Sequence, residues 1–340
     1  MEQIGKVIVL LEGGGLILKS REISSIFQDT SLAKIVVSEL GKTSVKDRVV
    51  QAELDNIEIL MANNKYITTL NGLENLRNLT DLYLSDNQIN DLTPLIGLRR
   101  LENLDLNNNQ IRDLSSLIGL RSLDMLRLSN NQISDISSLE QLEMLKVLDL
   151  SNNKIDDVKS LIRLWNLESL YLSNNQIIDA SLLCALERLE ILSISDNQIA
   201  DVSFLASLKN LGSLNLNNNQ ISDVSSLDSL KNMPFLKDIQ ILGQKVSFPT
   251  IKWSSPLRVM NRIKDLDGNL VKPLFITEYG MYYDVAITWE KLPNVDQILG
   301  YSWRTKWDVG AFSGMVSLEV KLNERAREGL FFNGTTFLSL

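Results

Sequence analysis

The middle of the chain is organised by a frame of apolar positions that repeats every 22 residues. In each frame the first, fourth and sixth positions are apolar, the ninth is Asn and the eleventh is Ile. Seven frames follow one another without a change of step, beginning at Leu79, Leu101, Leu123, Leu145, Leu167, Leu189 and Leu211. This predicts a stacked array, because one unit of this length cannot bury its apolar side chains alone.

The frame is the leucine-rich-repeat pattern, and its spacing predicts the structure of each unit. Leu82 and Leu84 alternate with polar positions, which predicts a short strand with both leucines pointing inward. The following Ile-x-Asp-apolar-x-x-Leu-x-x-Leu stretch predicts a short helix or 3₁₀ turn that returns the chain. We therefore expect an α/β solenoid with a parallel sheet and one continuous leucine core.

Two polar columns accompany the frame. The Asn column, Asn87 to Asn219, precedes Gln-Ile in six frames and Lys-Ile in one. The chain turns away from the strand here, so we expect each amide to bond backbone groups that the turn leaves unpaired. The Asp column, Asp91 to Asp223, precedes the returning segment, and we expect it to act as an N-cap. A weak calcium site along this acidic row stays open.

The array has irregular ends. Ile57 opens an incomplete first repeat, and a last repeat places Gln244 at the Asn position after a slip of three residues. Terminal repeats of solenoids are atypical, so both are included and the array is assigned to 57–246.

Two further regions flank the array. Apolar residues at helical spacing, followed by Gly41 as a stop, predict a helical cap over 22–56. Short alternating runs between turn sequences predict a small β-sandwich over 247–322. Residues 1–21 and 323–340 are treated as an unassigned leader and an unassigned tail.

The composition narrows the available chemistry. The chain has 340 residues, a net charge of -8, one Cys and no His. Ser-His-Asp and Cys-His catalysis and zinc sites with His ligands are therefore excluded. Cys184 cannot form an internal disulfide, and we predict it to be a buried small apolar residue. The acidic balance argues against nucleic acid as a partner. The acids are spread by the repeat and no insertion forms a pocket, so we expect no enzyme, cofactor or metal site.

Three segments resemble, in order, the internalin family of Gram-positive bacterial surface and secreted proteins. Residues 26–33 and 40–45 are similar to the family's helical cap, and the repeats share its 22-residue length and its Asn-Gln-Ile-x-Asp signature. The third segment resembles its Ig-like inter-repeat domain, for example at Ile287-Thr288-Trp289. The resemblance covers residues 23–322.

The resemblance implies a right-handed leucine-rich-repeat horseshoe with an N-terminal helical cap and a C-terminal Ig-like β-sandwich. It also implies a secreted or surface protein of the adhesion and virulence type, without a membrane span and monomeric, that binds a host or cell-surface protein. Met1–Leu18 is not a convincing signal peptide, because Glu12 and three glycines break its apolar run. It is interpreted as a damaged signal or an incorrect start site. No Leu-Pro-x-Thr-Gly sorting motif follows the sandwich.

The resemblance further implies a curved array whose strands line a concave face that grips the partner. Positions between the inward leucines point to this face, and packing does not dictate their identity. We predict that a stripe of apolar and aromatic residues interrupted by charges binds the partner, since Tyr, Met and Arg are enriched at interfaces. The predicted residues are Ile59, Met61, Tyr83, Asp105, Met125, Arg127, Val147, Asp149, Tyr171 and Ile191.

Alternatives to this interpretation stay open. The stripe is also compatible with ordinary surface scatter, and Arg127 between Asp105 and Asp149 with a local ion-pair ladder. The alternative function is an intracellular adaptor similar to eukaryotic phosphatase regulators, which have 22-residue repeats but lack the sandwich. Trp165, whose counterparts in other repeats are mostly polar, is predicted near the convex edge, either partly buried or available for a contact.

Overall fold

The structure is a computed structural model that describes residues 9–10, 16–17, 19–232, 235–254, 256–293, 295–307 and 310–321. Two compact units, Met1–Asn175 and Gln176–Leu340, are described here separately. The predicted tail 323–340 and most of the predicted leader 1–21 lie outside the described residues.

The first unit begins with short strands and helices. Strands β1 (Val9–Leu10) and β2 (Leu16–Ile17) pair antiparallel, as do β3 (Arg21–Glu22) and β4 (Arg48–Val49). The helices are α1 (Ile23–Ile26), α2 (Thr30–Glu39) and α3 (Gln51–Leu54). The predicted helical segment is thus present, but it is interrupted between α1 and α2.

The cap is fastened to the first repeat by Asp29. Its Oδ1 accepts the backbone N–H groups of Ser31 and Leu32 at 2.8 and 3.1 Å, which caps α2. Its Oδ2 accepts the N–H of Thr68 at 3.0 Å. Gly72 has a φ of +110°, and a Cβ there would lie 2.5 Å from the carbonyl oxygen of Ile26. The close approach of cap and repeat therefore requires a glycine at this position.

Six parallel strands follow in the first unit, one for each repeat. They are β5 (Ile59–Met61), β6 (Asp81–Tyr83), β7 (Asn103–Asp105), β8 (Met125–Arg127), β9 (Val147–Asp149) and β10 (Ser169–Tyr171). Each strand pairs with the next at a shift of 22 residues, so the central leucines align and are fully buried.

Short 3₁₀ helices return the chain between these strands. They are Leu73–Asn75, Thr93–Leu95, Ser115–Leu117, Ser137–Leu139 and Lys159–Arg163. In each of the last four helices the third residue is a buried leucine. The prediction of a short helix or 3₁₀ turn is confirmed.

A column of amides, which we call the Asn spine, links these repeats: Asn87, Asn109, Asn131, Asn153 and Asn175, all of them buried except the half-buried Asn153. Asn109, which is 8% exposed, donates to the carbonyls of Leu84 and Leu106 at 3.0 and 3.1 Å. Its Oδ1 accepts the N–H of Ile89 at 2.9 Å. Each amide thus joins its own turn to the preceding repeat, as the sequence predicts.

The second unit holds three more returns and the remaining strands. The 3₁₀ helices are Ser181–Ala185, Ser203–Ser207 and Ser225–Asn232. The strands are β11 (Ile191–Ser193), β12 (Ser213–Asn215), β13 (Asp238–Lys252), β14 (Leu257–Met260), β15 (Phe275–Ile276), β16 (Met281–Tyr283), β17 (Ala286–Trp289), β18 (Gln297–Trp307) and β19 (Gly310–Lys321).

Strand β13 connects the last repeat to the C-terminal β region. It pairs parallel with β12 at its start and with β19 along its length. Strand β18 pairs antiparallel with β19 and with β15, while β14, β17 and β16 form a separate antiparallel sheet. Trp289, Tyr301 and Trp303 are each 1% exposed and form the core of this region. Trp289, one of the residues that carry the resemblance, therefore lies in the core.

The last repeat carries the amide of Gln244 where the others carry Asn. Its Nε2 donates to the carbonyl of Leu216 at 2.9 Å, and its Oε1 accepts the N–H of Ile221 at 3.1 Å. Gln244 is fully buried. Gln244 follows Asn219 by 25 residues instead of 22. Its longer side chain still makes the same pair of contacts.

The Asp column differs in detail from the prediction. Asp135 lies one residue before the N-cap of its 3₁₀ helix, which is Ile136. Its Oδ1 accepts the N–H of Ser137, two residues later, at 2.8 Å. The carboxylate therefore forms an Asx-turn at the start of the helix. The same contact recurs in the other repeats, from Asp91 with Thr93 to Asp223 with Ser225.

The prediction that Cys184 is buried is wrong, because the structure places its thiol on the surface. Leu183 and Leu186 are buried instead. A 3₁₀ helix has three residues per turn, so its inward positions recur every third residue and exclude the cysteine between them. Trp165 is 50% exposed.

The predicted fold class is confirmed: a leucine-rich-repeat solenoid with a parallel sheet, a helical cap and a C-terminal Ig-like β region. The boundaries 22–56, 57–246 and 247–322 stay predictions, and β13 is continuous across position 246. Among the described residues, no helix is long and apolar enough to span a membrane.

Candidate functional site

The strands of the first unit present one continuous face. We call it the strand face, and it consists of the first and third residues of β5 to β10 together with the residue directly before each strand. The parallel register aligns the first residues, from Ile59 to Ser169, and the third residues, from Met61 to Tyr171. Neighbouring strands in a sheet lie about 4.8 Å apart, so side chains in one column are in mutual reach.

Nine of the ten predicted binding residues belong to this face. Ile59 and Met61 are the most open, with 53% and 62% of their surface exposed. Asp105 is buried, and the other six, Tyr83, Met125, Arg127, Val147, Asp149 and Tyr171, are half-buried. The tenth residue, Ile191, is half-buried on β11 of the second unit.

Asp81 organises the N-terminal end of the strand face. Its Oδ1 accepts from Nδ2 of Asn103 at 2.7 Å and from the hydroxyl of Tyr83 at 3.4 Å. Its Oδ2 accepts from the hydroxyl of Thr80 at 2.7 Å. Burial and the nearby Asp81 carboxylate both raise the pKa of Tyr83, so its hydroxyl stays a neutral donor. Sequence reasoning missed Asp81, although it lies in the same column as Ile59.

Two of the predicted acids have a structural task. The Oδ1 atoms of Asp105 and Asp149 accept the N–H groups of Asn107 and Ser151, each at 3.0 Å. These contacts close the turn at the end of each strand. The recurrence of Asp or Asn at this position was the signal that could have identified this role.

Arg127 forms one weak ion pair. Its Nη1 lies 3.8 Å from Oδ2 of Asp105. No ion pair between Arg127 and Asp149 is found among the described residues. The alternative of a complete ion-pair ladder is therefore only half realised, and a pair with an exposed arginine contributes little to stability.

Ile191 borders an open depression of about 530 Å³ in the second unit. Gly212 stands before β12 where other repeats carry a side chain, and Phe235 forms an apolar wall. Phe235 is 60% exposed.

The described residues show no arrangement suited to metal-dependent chemistry. No group of three or more Asp, Glu or Cys side chains is placed to hold a metal ion within the described part of the chain. The carboxylates of the Asp column are one repeat apart, and each is directed at its own turn.

Comparisons with known proteins agree with these features. Residues 17–55 match the family model described as bacterial adhesion/invasion protein N terminal. Residues 77–232 match, in overlapping windows, the model for leucine-rich repeats. The first match coincides with the helical cap, and the second covers the returns and strands of seven repeats.

Two curated relatives come from Listeria monocytogenes. Internalin H is 42% identical over 64 residues, which is 19% of this chain and 12% of that protein. Internalin C is 40% identical over 63 residues, which is 18% of this chain and 21% of that protein. These alignments span only 12% and 21% of the two relatives' length.

A solved structure gives a longer comparison. The crystal structure of an internalin C2 from Listeria monocytogenes is 41% identical, with a TM-score of 0.64. The similarity covers 67% of this chain and the whole of that chain. Together with the cap, the 22-residue repeats and the Asn spine, it shows that this chain belongs to the internalin family.

Proposed function

We propose that this protein is a non-enzymatic binding module that holds a folded protein, on a host or other cell surface, through its strand face. One observation carries this proposal: large apolar side chains are exposed where the repeat imposes no apolar residue. Ile59 and Met61 are more than half exposed, and Tyr83 and Tyr171 are half-buried in the same columns. Exposed apolar side chains that cluster on one face favour a protein interface.

The family supports the rest of the proposal. Internalins are proteins of the adhesion and invasion type, which accords with a secreted or surface location and action as a monomer. We take the strand face to be the concave side that the resemblance implies. Asp105, Met125, Arg127, Val147 and Asp149 complete the proposed site in the first unit, and Ile191 is included for the second.

Capture of host-cell proteins by the immobilised full chain tests the proposal. We expect Tyr83→Ala combined with Tyr171→Ala to abolish specific capture, because large aromatic side chains carry much of the energy of an interface. Tyr279→Ala combined with Tyr283→Ala is the matched control, since both tyrosines are exposed in the β region, at 98% and 82%. The control variant should capture normally.

Two results would contradict the proposal. Undiminished capture by the folded Tyr83→Ala, Tyr171→Ala variant would exclude the strand face as the site. Detection of the protein only inside the producing cell would exclude action at a cell surface and favour an intracellular adaptor. Circular dichroism of each variant separates loss of binding from loss of folding.

A further inference from the structure

The repeats of the first unit concentrate their net charge on one face. Between positions 57 and 175 the strand face carries seven acidic and two basic side chains. These are Glu58, Asp81, Glu102, Asp105, Asp124, Asp149 and Glu168, with Arg127 and Lys146. All other positions of the same segment carry nine acidic and nine basic side chains. The excess of negative charge therefore belongs entirely to the strand face.

Both basic residues of the face are already engaged by its acids. Lys146 Nζ lies 2.7 Å from Oδ1 of Asp124, and Arg127 Nη1 lies 3.8 Å from Oδ2 of Asp105. Glu58 and Glu102 are exposed, and no hydrogen bond or ion pair joins their carboxylates to another described residue. Glu58 and Glu102 are thus free of a structural task.

The apolar side chains lie among these acids. Ile59 and Met61 follow Glu58 directly, and both are more than half exposed. The hydroxyl of Tyr83 is held by Asp81, which fixes the ring beside that carboxylate. An aromatic ring next to an acid is a favourable environment for a cation, through the ring face and the carboxylate together.

We propose that the surface recognised by the strand face is basic: a patch rich in Lys and Arg whose apolar or aromatic side chains contact the exposed residues of β5 and β6. The inference rests on the proposed function and specifies the chemistry of its partner. Neighbouring strands are separated by less than the Debye length of about 8 Å at physiological salt, so the acids of adjacent repeats act together. Such a field accelerates encounter with cationic surfaces and disfavours acidic ones.

The test uses the full chain and two labelled synthetic octapeptides, one alternating Lys with Tyr and the other Glu with Tyr. Fluorescence anisotropy measures the affinity of each. We expect the lysine peptide to bind, to weaken steeply as salt is raised, and to bind at least about tenfold more tightly than the glutamate peptide. Glu58→Gln with Glu102→Gln should weaken the lysine peptide about five- to tenfold at low salt.

Glu143→Gln with Asp156→Asn is the matched control. It removes two carboxylates from exposed positions of the fourth and fifth repeats of the same unit, outside the strand face. The control should change the affinity by less than about twofold, because screened charges away from the contact contribute little.

Several results would overturn the inference. One is that the lysine peptide does not bind at all, and another is that the two peptides bind with equal affinity. Equal losses of affinity for the lysine peptide in the two double variants would also overturn it. If cellular capture still depends on Tyr83 and Tyr171 in that case, the proposed function stands and only the basic partner is wrong. If capture does not depend on these tyrosines, the proposed function itself fails.

Discussion

The Asn spine and the strand face belong to the same repeats but use polar side chains in opposite ways. Asn109 is buried and bonds four backbone groups of two repeats, whereas Asn103, six positions earlier, is half-exposed and bonds one side chain, Asp81. The backbone turn is the same in each repeat, so the spine needs the same residue each time. The face has no such requirement, so its residues are free to vary from repeat to repeat.

The largest expected effect on stability comes from removing an Asn side chain from the spine, and removing an Asn from the strand face provides the comparison. Asn109→Ala leaves the N–H of Ile89 buried without a partner. The carbonyls of Leu84 and Leu106 each lose one of two amide donors and keep the bond from Asn87 or Asn131. We expect a loss of about 2–4 kcal/mol in the free energy of unfolding, since the unpaired buried N–H costs about 1–3 kcal/mol and the lost hydrogen bonds to the carbonyls add about 1 kcal/mol. Asn103→Ala should cost less than about 1 kcal/mol. Urea unfolding of both variants measures the difference, and equal losses would contradict the distinction between spine and face.

The spine is predictable from the sequence because the same backbone turn, with the same unpaired groups, recurs in every repeat. Turn, apolar frame and amide recur together, so the contacts of one repeat hold for all. The strand face is predictable only as a set of positions. That Asp81 binds Asn103 depends on which residue happens to lie in the adjacent repeat.

The error at Cys184 has a related cause. A helical interpretation of 181–186 allows a wide inward stripe, but the segment forms a 3₁₀ helix that buries only Leu183 and Leu186. Glu140 occupies the position equivalent to Cys184 two repeats earlier. The same column also holds Ile96, Ile118 and Ile162, so a charged residue in it was only a weak signal of exposure.

The end of the spine gives a second, smaller test of the comparison. Gln244→Asn shortens the side chain by one methylene, so the amide no longer spans the 2.9 Å contact to Leu216 and the 3.1 Å contact from Ile221 together. We expect a loss of about 1–2 kcal/mol in the free energy of unfolding, equivalent to one unpaired buried group.

Gln240 provides the control for this substitution. It lies on β13 at a half-buried position, where its Nε2 donates to Asp238 and its Oε1 accepts from Asn217. Gln240→Asn should cost less than about 0.5 kcal/mol, because water replaces these contacts. If the same urea titration gives a larger loss of unfolding free energy at position 240 than at 244, the length of the Gln244 side chain does not determine the stability of this repeat.

The smallest effect on stability is expected in the Asp column. Its carboxylates also accept backbone hydrogen bonds, but unlike the spine amides they do so from exposed positions. Asp135→Ala removes the acceptor for the N–H of Ser137 and should cost about 0.5 kcal/mol at neutral pH, at the low end for residues that cap a turn. Asp156→Ala is the control, since no hydrogen bond from a described residue reaches its carboxylate.

The pH dependence identifies the carboxylate as the cause. The hydrogen bond from the backbone N–H of Ser137, followed by that from its hydroxyl, holds the pKa of Asp135 below its ordinary value. A lowered folded-state pKa means that this contribution is complete above the unfolded pKa, near 4, and is lost as the pH falls through the folded pKa. Unfolding curves of wild type and Asp135→Ala should therefore differ at pH 7 and converge near pH 2. A difference of the same size at both pH values would mean that the ionised carboxylate does not stabilise the turn. The spine amides carry no charge, so the loss caused by Asn109→Ala should persist wherever the protein remains folded.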